Sequence, residues 1–340
     1  MVRYIFDRVV QVFISLVGVA IVVFVITQLL PGNAARVEAG QYASPQEIAQ
    51  LSREFGLDRP LYAQFGTYFA DLFRLNFGNS TSTGQPVASE LFSRLPASLE
   101  LSVGALIIAL VIGLVVGVLS ARFPSGIIDG IGRGYTILSS STASFWIALL
   151  AVLLFCNTVH WFPSPIGRLP RNYNPPTTIT GSYVIDALLT GNFSLAVAAL
   201  RSLALPCIIL GFIAAPSIIK SVRASTLSAL GSDYARTARL LGYSDTSILF
   251  HDGLRNSLLP VLTTIGIVTG YLLGGNIIIE QIFSWPGIGQ YAYQSLKVHD
   301  LNALRGYALL IGGIYVLINA VLDILYTVVD PRVQRRAVKA

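Results

Sequence analysis

Lysine is nearly missing from this chain: among 340 residues only Lys220, Lys297 and Lys339 occur. None follows a glycine, so the Gly-Lys of a phosphate-cradling P-loop is absent. Charge of either sign is scarce at 12%, against about 25% in a soluble domain. With 54% hydrophobic residues and a mean hydropathy of +0.67, disorder is excluded, because it needs low hydrophobicity and high charge. Cysteine is limited to Cys156 and Cys207, both inside apolar runs. They read as core thiols, with neither a disulfide nor a metal site implied. The three histidines, His160, His251 and His299, are far apart in sequence and suggest no metal cluster. No nucleophile–base arrangement stands out, and Ser and Thr in apolar runs ordinarily serve helix packing. No catalytic residue and no metal ligand is therefore assigned. The net charge of +6 comes without a long basic tract or aromatic-basic alternation, which excludes a nucleic-acid partner.

What the chain has instead is apolar runs of membrane-spanning length, about 20 residues each. The intervals between charges supply six: Val9 to Leu30, Leu101 to Ala121, the start of the uncharged stretch Gly134 to Gly167 as far as about His160, Ser202 to Ile219, Asn256 to Ile279, and Gly306 to Val329 interrupted by Asp323. The fifth would be about 36 Å long if wholly helical. Arg3 and Arg8 before the first run resemble a signal peptide, but the run is too long and no small-residue cleavage site follows, so it reads as an uncleaved span. With six spans both termini share one side. If that side is the cytoplasm, its segments hold 13 Lys/Arg in 66 residues, against 10 in 139 for the other side. The positive-inside rule then favours cytoplasmic termini in a multi-pass protein.

Two segments between spans are long enough to fold. Residues 31–97 open on Pro31-Gly32, which stops a helix, and contain amphipathic stretches from Pro45 to Phe55 and from Tyr62 to Phe73. Aromatics throughout and mixed charge indicate a small external cap, since a linker would be Gly/Ser-rich. Residues 223–255 form the largest segment on the other side. Ser232 is placed to cap a helix that begins at Asp233. Arg236 and Arg239 follow toward the end that favours cations, and Gly242 is placed to close it. Tyr234, Ala235, Ala238 and Leu241 give a small, partly apolar face. Ser244 can cap a second short helix with Ile248, Leu249 and Phe250.

The run Asp233-Tyr234-Ala235-Arg236-Thr237-Ala238-Arg239-Leu240-Leu241-Gly242 resembles the EAA loop of ABC importer permeases. It departs from the family pattern in opening on Asp233-Tyr234 and in placing Arg255 where a proline falls, with Leu258-Leu259-Pro260 following. That variant is similar to the dipeptide/oligopeptide branch. Leu29-Leu30-Pro31-Gly32, Gly56-Leu57-Asp58-Arg59-Pro60-Leu61, Phe77-Gly78, Thr83 to Val87, Ser144-Phe145-Trp146, Ile282 to Gly289 and Asp330-Pro331-Arg332 fit the same branch in order. The resemblance implies an all-α polytopic membrane protein with six transmembrane helices of the type I ABC importer permease fold. It carries an external cap between spans one and two and a coupling helix between spans four and five. It implies a bacterial inner-membrane location and a non-catalytic subunit for peptide import. This chain binds no cofactor on that view. ATP and Mg belong to two partner ABC ATPases, working with a second homologous permease, an external substrate-binding protein and the membrane lipids. The ATPase-coupling residues carried over are Asp233, Tyr234, Ala235, Arg236, Ala238, Arg239, Gly242, Ser244, Ile248, Phe250 and Arg255.

Other features stay open to two readings. Gly266, Gly270 and Gly274 form one strip along span five. Such a strip serves close helix packing, or a pore wall, as the family's use of this span implies. Gly113 and Gly117 on span two carry the same two readings, with packing the favoured one. Arg201 and Glu280 are placed at outer span ends, where snorkelling suffices. Asp323, inside span six, suits pairing or a transport role. The rival function is a self-sufficient, proton-coupled secondary carrier using Asp323 or Glu280; an intramembrane enzyme is the third. The transported solute is not specified by the sequence.

Overall fold

A computed structural model describes residues 2–29, 44–54, 58–249, 254–274 and 276–329. In chain order the described helices are α1 (Val2–Leu29), α2 (Pro45–Glu54), α3 (Leu61–Phe73), α4 (Val87–Arg122), α5 (Ile127–Ser141), α6 (Ser144–Ala151, running on as a π-helical stretch Val152–Thr158), α7 (Tyr183–Leu189), α8 (Phe193–Leu230), α9 (Asp233–Leu240), α10 (Asp245–Ile248), α11 (Leu254–Gly274), α12 (Ile277–Ile282), α13 (Ile288–Lys297) and α14 (Leu301–Val329). Among the described residues the only β pairing is an isolated antiparallel bridge between Asn79 and Pro86. Two compact units form, one from the described residues of 1–95 and 287–317, the other from those of 96–286 and 318–340.

In the first unit local chemistry sets the helix starts. Ser44 and Glu47 form a capping box around Pro45. The Glu47 carboxylate accepts from the Ser44 amide at 2.7 Å, and the Ser44 hydroxyl accepts from the Glu47 amide at 3.3 Å. Helix α3 carries Phe65, Tyr68, Phe69 and Phe73 as an aromatic ladder. Phe24 of α1 meets Phe65 at 5.2 Å between ring centroids and Tyr68 at 5.3 Å. Asp300, fully buried, caps α14 by accepting from the Ala303 amide at 3.0 Å and takes the Ser80 hydroxyl at 2.6 Å. Val87, Leu91, Ile288, Tyr291 and Ala303 make the core there.

The core of the second unit is the crossing of α4 and α8. Glycines let the two backbones approach. A Cβ on Gly113 would lie 2.4 Å from Ile218, one on Gly117 2.8 Å from Val222, and one on Gly211 2.6 Å from Ile108. Gly113 and Gly117 are thus packing residues, as their spacing suggested. Cys156 and Cys207 are buried free thiols.

Helix α8 runs through Pro206 and Pro216. An interior proline leaves the carbonyl four residues earlier without its amide. For Pro216 that is the Phe212 carbonyl, which accepts instead from the Tyr135 and Ser139 hydroxyls of α5. The sequence thus carries both the break and its repair. Replacing both donors (Tyr135→Phe with Ser139→Ala) strands this carbonyl and is expected to cost about 1–3 kcal/mol. Either single change costs less, because one donor remains; thermal midpoints in detergent check the difference.

Four described stretches are long and apolar enough to cross a membrane: Arg8–Gln28 in α1, α4, α8, and Leu301–Tyr326 in α14. The third predicted span is not one straight helix. It is the pair Ile127–Ser141 and Ser144–Thr158, bent by 104°. Thr142 and Ala143 are extended there, with ψ of 133° and 135°, and the Thr142 hydroxyl returns to the Leu138 carbonyl. The fifth predicted span also ends early: α11 stops at Gly274, and the separate short helix α12 follows from Ile277. Helix α8 overruns its predicted end at Ile219 by about three further turns, to Leu230.

Candidate functional site

The segment after α8 folds as two short helices around a glycine turn. Ser232 stands at the cap of α9 in extended backbone, with φ −75° and ψ 162°. Its hydroxyl donates back to the Ala229 carbonyl and leaves the α9 amides uncapped by that side chain. At the other end Gly242 has φ +86°. Its amide donates to the Arg239 carbonyl at 3.0 Å, and the Tyr243 amide reaches the Ala238 carbonyl at 3.1 Å. These two bonds are a Schellman closure, which needs a left-handed residue at this point. A Cβ on Gly242 would meet nothing within 4 Å. Backbone conformation, and not space, therefore selects the glycine. Ser244 caps α10, its hydroxyl accepting from the Ser247 amide at 3.3 Å.

Arg239 binds these pieces together. Its Nε donates to Asp245 of α10 at 2.9 Å, and its terminal nitrogen donates to the Leu230 carbonyl at the end of α8 at 3.1 Å. Arg122, at the end of α4, lies 3.8 Å from the same carboxylate. The Arg239 hydrogen bond, with the charges of Arg239 and Arg122, holds the Asp245 carboxyl below its ordinary range. The folded loop therefore binds fewer protons there than the unfolded chain. Its contribution is present above the ordinary carboxylate range and fades as pH falls through the lowered value. Amide-exchange protection across residues 239–248 is expected to hold from neutral pH down to about pH 4 and to fall below it. Asp245→Asn is expected to lower that protection at neutral pH, modestly, because the pair is solvent-exposed.

Burial divides the loop into an inner and an outer face. Ala235, Ile248 and Leu249 are buried, and Ala238 is half-buried. Leu240, Leu241 and Tyr243 are 84%, 72% and 60% exposed, beside an exposed Tyr234. Leu241 does not share the face of Ala235 and Ala238 expected for it, because as the C-cap residue it leaves the helical path. Asp233 and Arg236 are exposed on α9. Phe250 lies outside the described residues, and Arg255 falls in the first turn of α11.

Beneath the loop a second ionic contact braces α8. Asp129 of α5, buried, receives Arg223 through two nitrogens at 2.7 and 3.0 Å. Arg133 approaches it at 3.4 Å and the Ser125 amide at 3.1 Å. Arg133 at i+4 from Asp129 was the available sequence signal for this knot. The glycine strip sits elsewhere, on α11. Gly266 is buried, and a Cβ there would lie 2.2 Å from Leu322 of α14, so it serves packing. Gly270 and Gly274 are half-buried.

Sequence reasoning missed a further polar constellation. Glu100 of α4 and Arg168 pair at 2.6 Å, each 7% exposed. Arg168 also donates to the Gly181 carbonyl at 2.8 Å and lies 3.6 Å over the Tyr183 ring. Ser182 and the Val184 amide donate to the other Glu100 oxygen at 2.7 and 3.1 Å. Glu280 does not snorkel at a span end as expected. It is buried on α12 and accepts from the Ser98 hydroxyl. Asn276 of the break before α12 donates to Ser102 at 2.9 Å, and Trp285 donates to the Ala97 carbonyl at 2.8 Å. The segment around α12 is therefore held to α4 by side chains distant in sequence.

Two family descriptions match. Residues 113–335 match the binding-protein-dependent transport system inner membrane component, and residues 1–102 match the N-terminal part of that membrane component. The chain is 39% identical over 318 residues to the Probable D,D-dipeptide transport system permease protein DdpB of Escherichia coli strain K12, covering 94% of this chain and 93% of that one. It is 36% identical over 334 residues to the dipeptide transport system permease protein DppB of Alkalihalophilus pseudofirmus, covering 98% and 100%. It is 34% identical over 343 residues to the E. coli K12 DppB, covering 99% and 100%. With all-helical architecture, several membrane-length apolar helices and matches that run from end to end, the chain belongs to the binding-protein-dependent transport system inner membrane component family.

Proposed function

We propose that this chain is the transmembrane permease subunit of an ATP-driven ABC importer, forming with a second permease the pathway for peptides delivered by a substrate-binding protein. The observation that carries the substrate class is the likeness over nearly the whole chain to permeases named for dipeptide transport. The self-sufficient carrier is not favoured by that family. On this reading the six spans are α1, α4, the bent pair α5–α6, α8, α11 and α14, with both termini in the cytoplasm. Residues 31–97 are the external cap.

The α9–α10 pair is the coupling element. Its exposed Leu240, Leu241 and Tyr243 stand beside Asp233, Arg236 and Arg239. A lipid-facing surface would not be interleaved with charge in this way, whereas a protein partner suits an exposed apolar patch rimmed by polar groups. Two ABC ATPases would receive this face and carry the ATP and Mg, so the chain itself needs no cofactor. Movement of the pair would pass through Arg239 to the end of α8, and through Asp245 and Arg122 to the end of α4. Both are long helices with their own crossing, so a rigid-body shift is the natural response. Gly270 and Gly274, half-buried on α11, remain the pore-wall candidates.

Purifying the tagged chain in mild detergent tests the assembly. A second permease and ATPase subunits are expected to accompany it, and the reconstituted complex is expected to take up dipeptide only with ATP. A lone chain that transports without ATP overturns the proposal.

A further inference from the structure

A cavity of about 270 Å³ opens in the first unit between α1, α3 and the beginning of α14. Most polar groups in its wall are already engaged. Gln28 donates to Gln64 at 2.8 Å, and Gln64 donates to the Arg59 carbonyl at 2.8 Å. Tyr68 donates to the Ala20 carbonyl at 3.2 Å, and Asn302 to the Asn79 carbonyl at 3.0 Å. Arg305 is different. Its Nε is buried without a hydrogen-bond partner among the described residues. Asp71 shares the lining, but no ion pair joins it to Arg305 among the described residues. Arg305 also sits in the second turn of α14, where the helix dipole is positive and adds no compensation. Arg305 is half-buried, a buried donor without an acceptor is costly, and a guanidinium fork matches the oxygens of a phosphate.

The surroundings select an amphiphile over a free anion. The apolar stretches of α1 and α14 are 11% and 6% buried, against 33% and 67% for those of α4 and α8. Ile14, Ile21 and Val25, on the stripe of α1 that borders the cavity residues Phe24 and Gln28, are exposed. In a bilayer such faces meet acyl chains. We propose that this cavity binds the phosphate of a membrane phospholipid, with Arg305 holding the phosphate and the acyl chains lying along Ile14, Ile21 and Val25 of α1. Arg59, also in the lining, supplies a second positive charge to the headgroup.

Native mass spectrometry of the full chain in detergent, together with the subunits that purify with it, reads retained lipid directly. Phosphatidylglycerol is expected to be retained, and diacylglycerol with the same acyl chains is not. Arg305→Gln is expected to lower phosphatidylglycerol retention about tenfold, while Arg305→Lys, which keeps the charge, retains most of it. Equal retention of diacylglycerol overturns the proposal, as does unchanged retention by Arg305→Gln. Displacement of the lipid by an equimolar amount of inorganic phosphate overturns the lipid as the source of the phosphate. The comparison of the two lipids uses the unaltered chain and decides the question even where Arg305→Gln fails to fold.

Discussion

Replacing Arg168 by methionine is expected to destabilise the second unit by about 3–5 kcal/mol, the usual cost of leaving one member of a buried ion pair uncompensated. Methionine keeps much of the length and apolar stem of arginine, so the loss is chiefly electrostatic. Glu100 would keep the Ser182 hydroxyl and the Val184 amide but would lose its only cation within ion-pair distance among the described residues. The Gly181 carbonyl and the Tyr183 ring would lose the guanidinium as well. The decisive comparison is the double variant. Arg168→Met with Glu100→Gln removes both charges while the amide oxygen still accepts from Ser182 and Val184. That pair of changes is expected to recover most of the loss, giving a strong favourable coupling between the two sites. Thermal midpoints of the four proteins in one detergent measure it. Additive losses would show that the pair acts through packing alone.

Replacing Gly242 by valine is expected to cut ATP-dependent uptake by about tenfold while insertion into the membrane persists, since a left-handed L-residue costs roughly 1–2 kcal/mol and about 1.4 kcal/mol is tenfold. A β-branched side chain is the least tolerant of the φ of +86° found there. Relaxing that angle breaks the two closing bonds, from Gly242 to Arg239 and from Tyr243 to Ala238. The turn would then no longer hold Asp245 against Arg239, and α10 would come away from the end of α8. Asn tolerates the left-handed region, so Gly242→Asn is expected to retain most of the uptake. Equal loss in both variants would show that the glycine is needed for close approach by a partner. Unchanged uptake in Gly242→Val would remove the turn from the coupling mechanism.

The helices were legible where their signals are local. Runs poor in charge marked the apolar stretches of α1, α4, α8 and α14. Ser244 and Gly242 marked the caps around the α9–α10 turn, because capping is a property of a residue and its next few neighbours. The extent of the helices was less legible. Helix α8 continues past Lys220, since Arg223 finds the buried Asp129 and so lets a charged turn remain helical. The break at Thr142–Ala143 has no glycine or proline to mark it, whereas Gly274 and Asn276 are breaker residues between α11 and α12. Around α12 the chain is held by polar partners that composition does not reveal, Asn276 with Ser102 and Glu280 with Ser98.

The sequence by itself determined that this is a membrane permease and where its glycine turn between two short helices lies. Apolar length, the distribution of basic residues, caps and the ordered motifs are all properties of contiguous residues. Only the tertiary structure decided which charges are buried and with whom. Glu100 with Arg168, Asp129 with Arg223, and the half-buried Arg305, whose Nε has no hydrogen-bond partner among the described residues, look alike as letters in a string. The energy of a charge depends on the dielectric around it and on the distance to its counter-charge. Both are fixed only when helices far apart in the chain pack together, as Gly113, Gly117 and Gly211 allow α4 and α8 to do.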